Sequence, residues 1–260
     1  MSTSEQDPGA VARRLLAARD AGRTLDVPLT DAGELTLAGA YRIQAEGTAL
    51  RLARGERVVG WKLGYTSLAM RQQMGVDAPN YGPLTDVMML PSGARVPEGA
   101  LQPRVEPEIG LRIARRLDRH CEASEVLAAC SGAVACLEVV DSVWAGYRFR
   151  LEDNTADGSS AGWVVLGEAL PLDDLPAIGV RLELDGEPVA SSTGAAAGGH
   201  PAAGVGWLAG QLGSRGLALE PGDLVITGGL TAAHPLDVGA RIGATFSWGG
   251  SGQTTVVVVR

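Results

Sequence analysis

The chain has 260 residues, of which 45% are hydrophobic and 20% charged, with a net charge of −8. That length supports one sizeable buried core, and those proportions exclude wholesale disorder. No Lys/Arg cluster of the kind that tracks a phosphate backbone is present, which argues against nucleic acid as a partner, whereas an anionic small molecule stays open because one bound cation outweighs a mildly acidic surface.

In chain order, the first segment reads as helical. Pro8 suits a first helical position, and Val11, Leu15 and Ala18 recur at helical spacing before Gly22. A second helix is predicted from Thr36 to Arg54, with Leu37, Tyr41, Ala45 and Ala49 on one face and Gly55 as its stop. From Val58 the texture changes to short β-like runs separated by Gly, Pro and Asp. This gives a helical region over residues 1–56 and a β-rich catalytic body over 57–260, within a single structural domain. Val58 to Tyr65 is the first run. Val105 to Ile113 alternates, with Val105, Ile109, Leu111 and Ile113 on one face and Glu106, Glu108, Gly110 and Arg112 on the other. Ser124 is read as the cap of a short helix. Ala133 to Val140 and Gly162 to Leu166 are apolar strands. Val180 to Leu184 meets Asp185-Gly186, a strong hairpin signal. A helix from about Pro201 to Arg215 follows, and the chain ends in strands at Leu224–Thr227, Arg241–Ser247 and Thr254–Val259.

Glu106-Pro107-Glu108 is the most informative tripeptide. Two glutamates two apart on a strand point the same way, and like charges that close repel unless a proton or a cation sits between them. Oxygen donors suit a hard divalent ion such as Mg²⁺, Mn²⁺ or Ca²⁺. Glu138, inside the apolar run Ala133–Val140, is costly to bury unless it is paired or metal-bound. A solvated strand face and a Glu–Arg or Glu–Lys pair are the competing readings of these carboxylates. Lys62, flanked by apolar residues, is either a partly buried cation poised for an anion or for proton transfer, or an edge-strand lysine facing water.

Several signals carry less. Gly158-Ser-Ser-Ala-Gly162 matches G-x-S-x-G but leads into a strand, where a nucleophile elbow needs a helix. Gly204 to Gly210 is glycine-rich without a βαβ context. His120, His200 and His234 lack zinc-ligand spacing, and His200 at a helix start is as much a structural as a catalytic candidate. Cys121, Cys130 and Cys136 are odd in number and lack CxxC spacing, which argues against a disulfide framework or structural zinc. Met1 to Pro8 is no signal peptide, and no run of about 18 apolar residues exists to span a membrane. The expected location is the cytoplasm.

Read together, Val59-Gly-Trp-Lys-Leu-Gly-Tyr-Thr-Ser67, Gln73-Met-Gly-Val-Asp77 with Tyr81-Gly82, Pro103-Arg-Val-Glu-Pro-Glu-Ile109, Leu137-Glu-Val-Val-Asp-Ser142, Ala156-Asp157 with Ser160, Gly199-His-Pro201 and Thr227-Gly-Gly-Leu-Thr-Ala-Ala233 resemble one family. It is that of the 2-hydroxypenta-2,4-dienoate hydratases and 4-oxalocrotonate (2-oxohex-3-enedioate) decarboxylases, in the fumarylacetoacetate-hydrolase-like superfamily. Each motif is weak alone; their order is specific and spans most of the chain.

The resemblance implies an α+β fold, a mixed β-sandwich roll carrying a small N-terminal helical region. It implies Mg²⁺ or Mn²⁺ on Glu106, Glu108 and Glu138, and an active-site lysine at Lys62. Asp157 and Ser160 match a polar motif lining the pocket, Asp157 as a proton-transfer group and Ser160 as a hydrogen-bond donor. The implied substrate is a small 2-oxo or 2-hydroxy unsaturated acid, decarboxylated through a dienolate with the metal as electron sink. Hydration of 2-hydroxypenta-2,4-dienoate is the alternative, followed by another 2-oxo-acid lyase or C–C hydrolase. A homo-oligomer, associated with a partner hydratase, is also implied. A non-catalytic binding protein is disfavoured because Lys62 and all three carboxylates are present. The loop at 227–233 is similar to the decarboxylase version. Asn80 stands where hydratases carry an acidic residue, Gly158 replaces an asparagine and Tyr65 replaces a leucine, so pocket chemistry differs from the family pattern at three positions.

Overall fold

The computed structural model describes residues 7–67, 71–72, 75–76 and 78–260. Of the family-like motif at 73–77, Gln73, Met74 and Asp77 therefore lie outside the described residues, as does most of the N-terminal stretch read for a signal peptide.

Helix α1 (Pro8–Asp20) starts at Pro8 as expected, with the Asp7 carboxylate accepting the Gly9 N–H. A short α2 (Leu29–Ala32) leads to α3 (Leu37–Ala53), which is capped by Thr36 and stopped by Gly55 at φ +93°. The buried face of α3 corrects the expectation. Ala45 and Ala49 are exposed, and Ala40, Tyr41, Ile43 and Gln44 face inward. Gln44 is buried because its amide donates to the carbonyls of Tyr81 and Thr155 at 2.8 Å, so its polar end is satisfied.

Strands β1 (Val58–Gly64), β2 (Asn80–Thr85) and β3 (Met89–Pro91) precede the long strand β4 (Arg104–Ile113). Helix α4 (Ala123–Ala129) contains Ser124 within it rather than at its cap. The cap is Glu122, whose N–H donates to Glu125 at 3.1 Å. Then come β5 (Cys130–Val140), α5 (Leu151–Ala156), β6 (Ala161–Leu170), β7 (Gly179–Leu184) and β8 (Glu187–Thr193). Asp185 and Gly186 both take positive φ, which gives the two-residue hairpin turn that the sequence signalled between β7 and β8. Helix α6 (Pro201–Gly213) is followed by β9 (Leu224–Ile226), β10 (His234–Pro235), β11 (Arg241–Trp248) and β12 (Gly252–Val259).

The large sheet runs β2-β1-β9-β4-β5-β6-β3, with β10 added beside β4, and a second sheet runs β12-β11-β7-β8. The β1/β9 and β3/β6 pairs are parallel and their neighbours antiparallel, so the fold is α+β around a mixed sheet. Strict alternation assigns the two faces of β4 and β5. Ile109 and Leu111 join Ala135 and Leu137 in the main core with Leu182, Phe246 and Val256 of the second sheet. Each such large side chain contributes roughly 1.5–3 kcal/mol on full burial. The opposite face of the same strands carries Glu106, Glu108 and Glu138. A separate cluster built from Val11, Leu15, Ile43, Trp144 and Ala156 fixes the N-terminal helices against α5. Among the described residues, no helix is long and apolar enough to cross a membrane.

Candidate metal centre and active site

The site begins with strand register. Glu106 lies directly opposite Glu138 in the antiparallel β4/β5 pair, and Glu108 opposite Cys136. Like charges facing one another across a ladder are destabilising unless something compensates them. The three carboxylates offer oxygens that lie within 4.8 Å of one another. Glu108 and Glu138 are wholly buried; Glu108 Oε1 and both Glu138 oxygens accept no hydrogen bond, although Glu138 Oε2 is ion-paired with Lys62. The other Glu108 oxygen accepts the Gly228 N–H at 2.7 Å. Burial and the charge of Glu138 push the Glu106 carboxyl up to about 8, and burial with the same neighbour pushes Glu108 well above its ordinary range. Bare buried acceptors, three hard oxygen donors and carboxyls pressed to hold protons together fit a divalent cation.

The loop after β9 is shaped to these carboxylates. Gly228 has φ +103°, and a Cβ there would overlap Thr66 Oγ1. At Gly229 a Cβ would overlap Glu106 Oε2. Two successive glycines let the backbone close on both side chains, which accounts for the glycine pair in the motif at 227–233.

Lys62 projects from β1, which is interior to the sheet between β2 and β9, so it is no edge lysine. Its Nζ lies 3.1 Å from Glu138 Oε2 and donates to the Ser159 carbonyl at 3.0 Å. Burial alone lowers its pKa, but Glu138, Glu106 and Glu108 outweigh that and hold the ammonium above its ordinary value. Among the described residues, Lys62 is thus the positive neighbour that tempers three clustered carboxylates.

Above this floor lies a cavity of about 280 Å³. Its lining includes Lys62 with Glu106, Tyr65, Ser159 and Ser160, and also Arg104, two residues before Glu106 on β4 and stacked on Tyr147, with Phe149. Tyr65, Tyr147, Ser159 and Ser160 all hold left-handed φ between 54° and 58°, a concentration of unfavourable backbone in the cavity wall. Burial pushes the Tyr65 phenol up to about 12, so it stays a protonated donor.

Ser160 is placed at the cavity, but its hydroxyl accepts from Asn154 at 2.8 Å and donates to Asp157 at 3.4 Å. Asp157 does not line the cavity as expected. Its carboxylate turns to the N-terminal helix, paired with Arg19 at 2.9 Å, and accepts the Val143 N–H at 3.0 Å. Asn80 is buried behind the wall in an amide network, donating to Asn154 and Thr155 and accepting from Ser159. His200 caps α6, its Nδ1 accepting the Ala202 N–H at 3.0 Å. The sequence reading missed Arg104 and Arg19. Arg104 carried a signal, since it precedes Glu106 by two residues on the same strand face; Arg19 carried none.

The family model described as "Fumarylacetoacetate (FAA) hydrolase C-terminal" matches residues 57–258. A 2-hydroxyhexa-2,4-dienoate hydratase of Comamonas testosteroni is 37% identical over 237 residues, covering 88% of this chain and 89% of that protein. A 4-oxalocrotonate decarboxylase of Pseudomonas sp. (strain CF600) is 38% identical over 224 residues, covering 84% and 85% respectively. The structure of 4-oxalocrotonate decarboxylase from Pseudomonas putida G7, complexed with magnesium and adipate, superposes with a TM-score of 0.92 at 33% identity, covering 100% of this chain and 98% of that one. The chain belongs to the fumarylacetoacetate hydrolase family, and it is an enzyme.

Proposed function

We propose that this protein is a divalent-metal-dependent carbon–carbon lyase that decarboxylates 2-oxohex-3-enedioate or a close relative. The observation that carries the reading is the convergence of Glu106, Glu108 and Glu138 with the buried ammonium of Lys62 at one end of a substrate-sized cavity. The three glutamates would hold Mg²⁺ or Mn²⁺, in keeping with the magnesium complex of the similar decarboxylase. Held there, the ion supplies Lewis-acid stabilisation of the negative charge that grows on the substrate's C2 oxygen.

The chain's own residues do the rest. Lys62 is fixed by Glu138 and by the Ser159 carbonyl, so it presents a charged donor at the same end of the cavity as Glu106. It binds the oxo-acid end and holds a proton there. Tyr65 adds a neutral donor. Breaking the bond to the distal carboxylate leaves its electron pair in the conjugated system running to C2, with CO₂ as the leaving group. The buried Asn80 favours decarboxylation, because an amide at that position supplies no titratable proton for a hydration step. The acidic residue that hydratases carry there is missing.

Hydration of 2-hydroxypenta-2,4-dienoate is the second reading. It is favoured by one observation, the equal similarity of this chain to a dienoate hydratase and to a decarboxylase.

The test mixes purified protein, Mg²⁺ and 2-oxohex-3-enedioate, and follows CO₂ release with the ultraviolet spectrum, beside Glu106→Ala and an EDTA control. Metal-dependent CO₂ release lost in the variant is the expected result. Turnover of the dienoate without CO₂ from the diacid would transfer the assignment to the hydratase.

A further inference from the structure

The cavity has two ends of opposite character. One holds the carboxylate cluster with Lys62. The other holds Arg104, whose guanidinium lies 4.4 Å from the ring centre of Tyr147. Arg104 opens strand β4 and points to the same face as Glu106, two residues on. Two residues of strand separate equivalent side chains by about 7 Å. The chain reverses at 229–235 so that β10 pairs with the start of β4, Pro235 opposite Arg104, which walls this end.

Arg104 has no carboxylate partner among the described residues. The acidic groups closest to it in sequence and strand register are committed elsewhere. Asp141 accepts the N–H groups of Leu101 and Gln102, and Glu106 belongs to the carboxylate cluster. A half-buried guanidinium facing a cavity with only an aromatic ring beside it retains its full capacity for a bidentate anion. The aromatic face of Tyr147 orients the guanidinium plane without neutralising it.

We propose that Arg104 reads the distal carboxylate of a dicarboxylic 2-oxo acid, making the cavity selective for diacids over monoacids of the same length. This rests on the reading that the carboxylate cluster end takes a 2-oxo acid. The dimensions agree. Five carbon–carbon bonds of about 1.5 Å, zigzagged, place the two carboxyl carbons of a six-carbon diacid about 6 Å apart. That is of the same order as the strand spacing between residues 104 and 106, whose side chains leave β4 on one face. Arg104 is thereby a specificity-determining residue. By holding the distal carboxylate at the wall it also fixes the torsion about the neighbouring C4–C5 bond, which sets the breaking C5–C6 bond out of the conjugated plane.

The experiment is calorimetric and needs no turnover. With Mg²⁺ present, 2-oxoadipate and 2-oxohexanoate are titrated into the wild-type protein, Arg104→Gln and Arg104→Lys. Both probes are saturated and so cannot lose CO₂ through a conjugated enone. The expected wild-type preference for 2-oxoadipate is about tenfold or more, the weight of one charge-assisted pair. In Arg104→Gln that preference disappears while 2-oxohexanoate binds as before, which also shows that the variant is folded. In Arg104→Lys part of it returns.

Equal wild-type binding of the two acids overturns the proposal and leaves the 2-oxo-acid reading intact. An unchanged preference in Arg104→Gln also overturns it, as does loss of both ligands by a folded Arg104→Gln. Failure of both acids to bind the wild-type protein sinks the underlying reading itself.

Discussion

Arg19 of the first helix donates through Nη2 to Asp157 Oδ1 at 2.9 Å, across 138 residues of sequence, and its Nη1 lies 3.9 Å from Asp141. The second Asp157 oxygen accepts the Val143 N–H and the Ser160 hydroxyl. The N-terminal helix is thereby tied to the turn at 157–160, whose Ser159 carbonyl receives Lys62. Replacing Arg19 with Ala leaves Asp157 and Asp141 buried without their cation. Breaking a buried pair from one side costs about 3–5 kcal/mol. Urea unfolding of Arg19→Ala is expected to show a loss of that order, with Arg19→Lys intermediate. A loss below about 1 kcal/mol, the level of a surface pair, would place the contact among the ornamental ones.

The ion and the proton compete for the same oxygens, which gives the metal site a pH signature. In the ion-free protein Glu106 is raised to about 8 by burial and by Glu138, against 4.5 for the ordinary group. A raised carboxyl favours the folded state while protonated. Ion-free stability on this account is full below the ordinary value and is lost as pH rises toward about 8. Ion binding needs the carboxylates deprotonated, so its stabilisation runs the opposite way. The rise in Tm on adding saturating Mg²⁺ is expected to be small near pH 6 and to grow to near pH 9, with affinity changing roughly tenfold per pH unit for each proton released. Thermal melts with and without EDTA across that range check it. An increment independent of pH would mean the ion sits elsewhere.

The carboxylate centre was legible because it is local. Period-two alternation puts Glu106 and Glu108 on one face of β4, and the apolar surroundings of Glu138 mark it as a charge that needs a partner. Lys62 announced itself by the same contrast. The contacts around Asp157 were not legible, since its partner Arg19 is brought near only by tertiary packing of α1. The inward face of α3 differs from the expectation for another reason. Alanine has too little side chain to declare a face, and Gln44, a polar residue, is buried through two carbonyl partners from β2 and α5.

Lys62 and a bound cation share three carboxylates as counter-charges, and this makes a prediction with two signs. Lys62→Met removes the competing positive charge while keeping a side chain of similar length. Mg²⁺ is expected to bind the variant at least as tightly as the wild type. Turnover is expected to fall by about 10²–10⁴, the usual contribution of a positioned proton-transfer group. Calorimetric Mg²⁺ titration beside the CO₂ assay measures both. Weakened Mg²⁺ binding would instead make Lys62 a scaffold for Glu138, and unchanged turnover would remove it from the chemistry.

The two glycines after β9 separate stability from ion binding. Gly228→Ala demands a left-handed Cβ that overlaps the Thr66 side chain, and it moves the N–H that Glu108 accepts. Strain of this type costs about 1–3 kcal/mol, so the expected result is a lower Tm even without metal. Gly229 has ordinary backbone, and its added Cβ would overlap chiefly the end of the Glu106 side chain, which can swing away, and would lie 3.2 Å from the Thr231 carbonyl, which must give by a few tenths of an ångström. Gly229→Ala is therefore expected to melt close to the wild type in EDTA and to lose most of the Mg²⁺-induced rise in Tm. If both variants lost stability alike in EDTA, the close approach of the loop would be serving the fold alone. If Gly229→Ala kept the full Mg²⁺ response, Glu106 would be dispensable as a ligand and the centre would rest on Glu108 and Glu138.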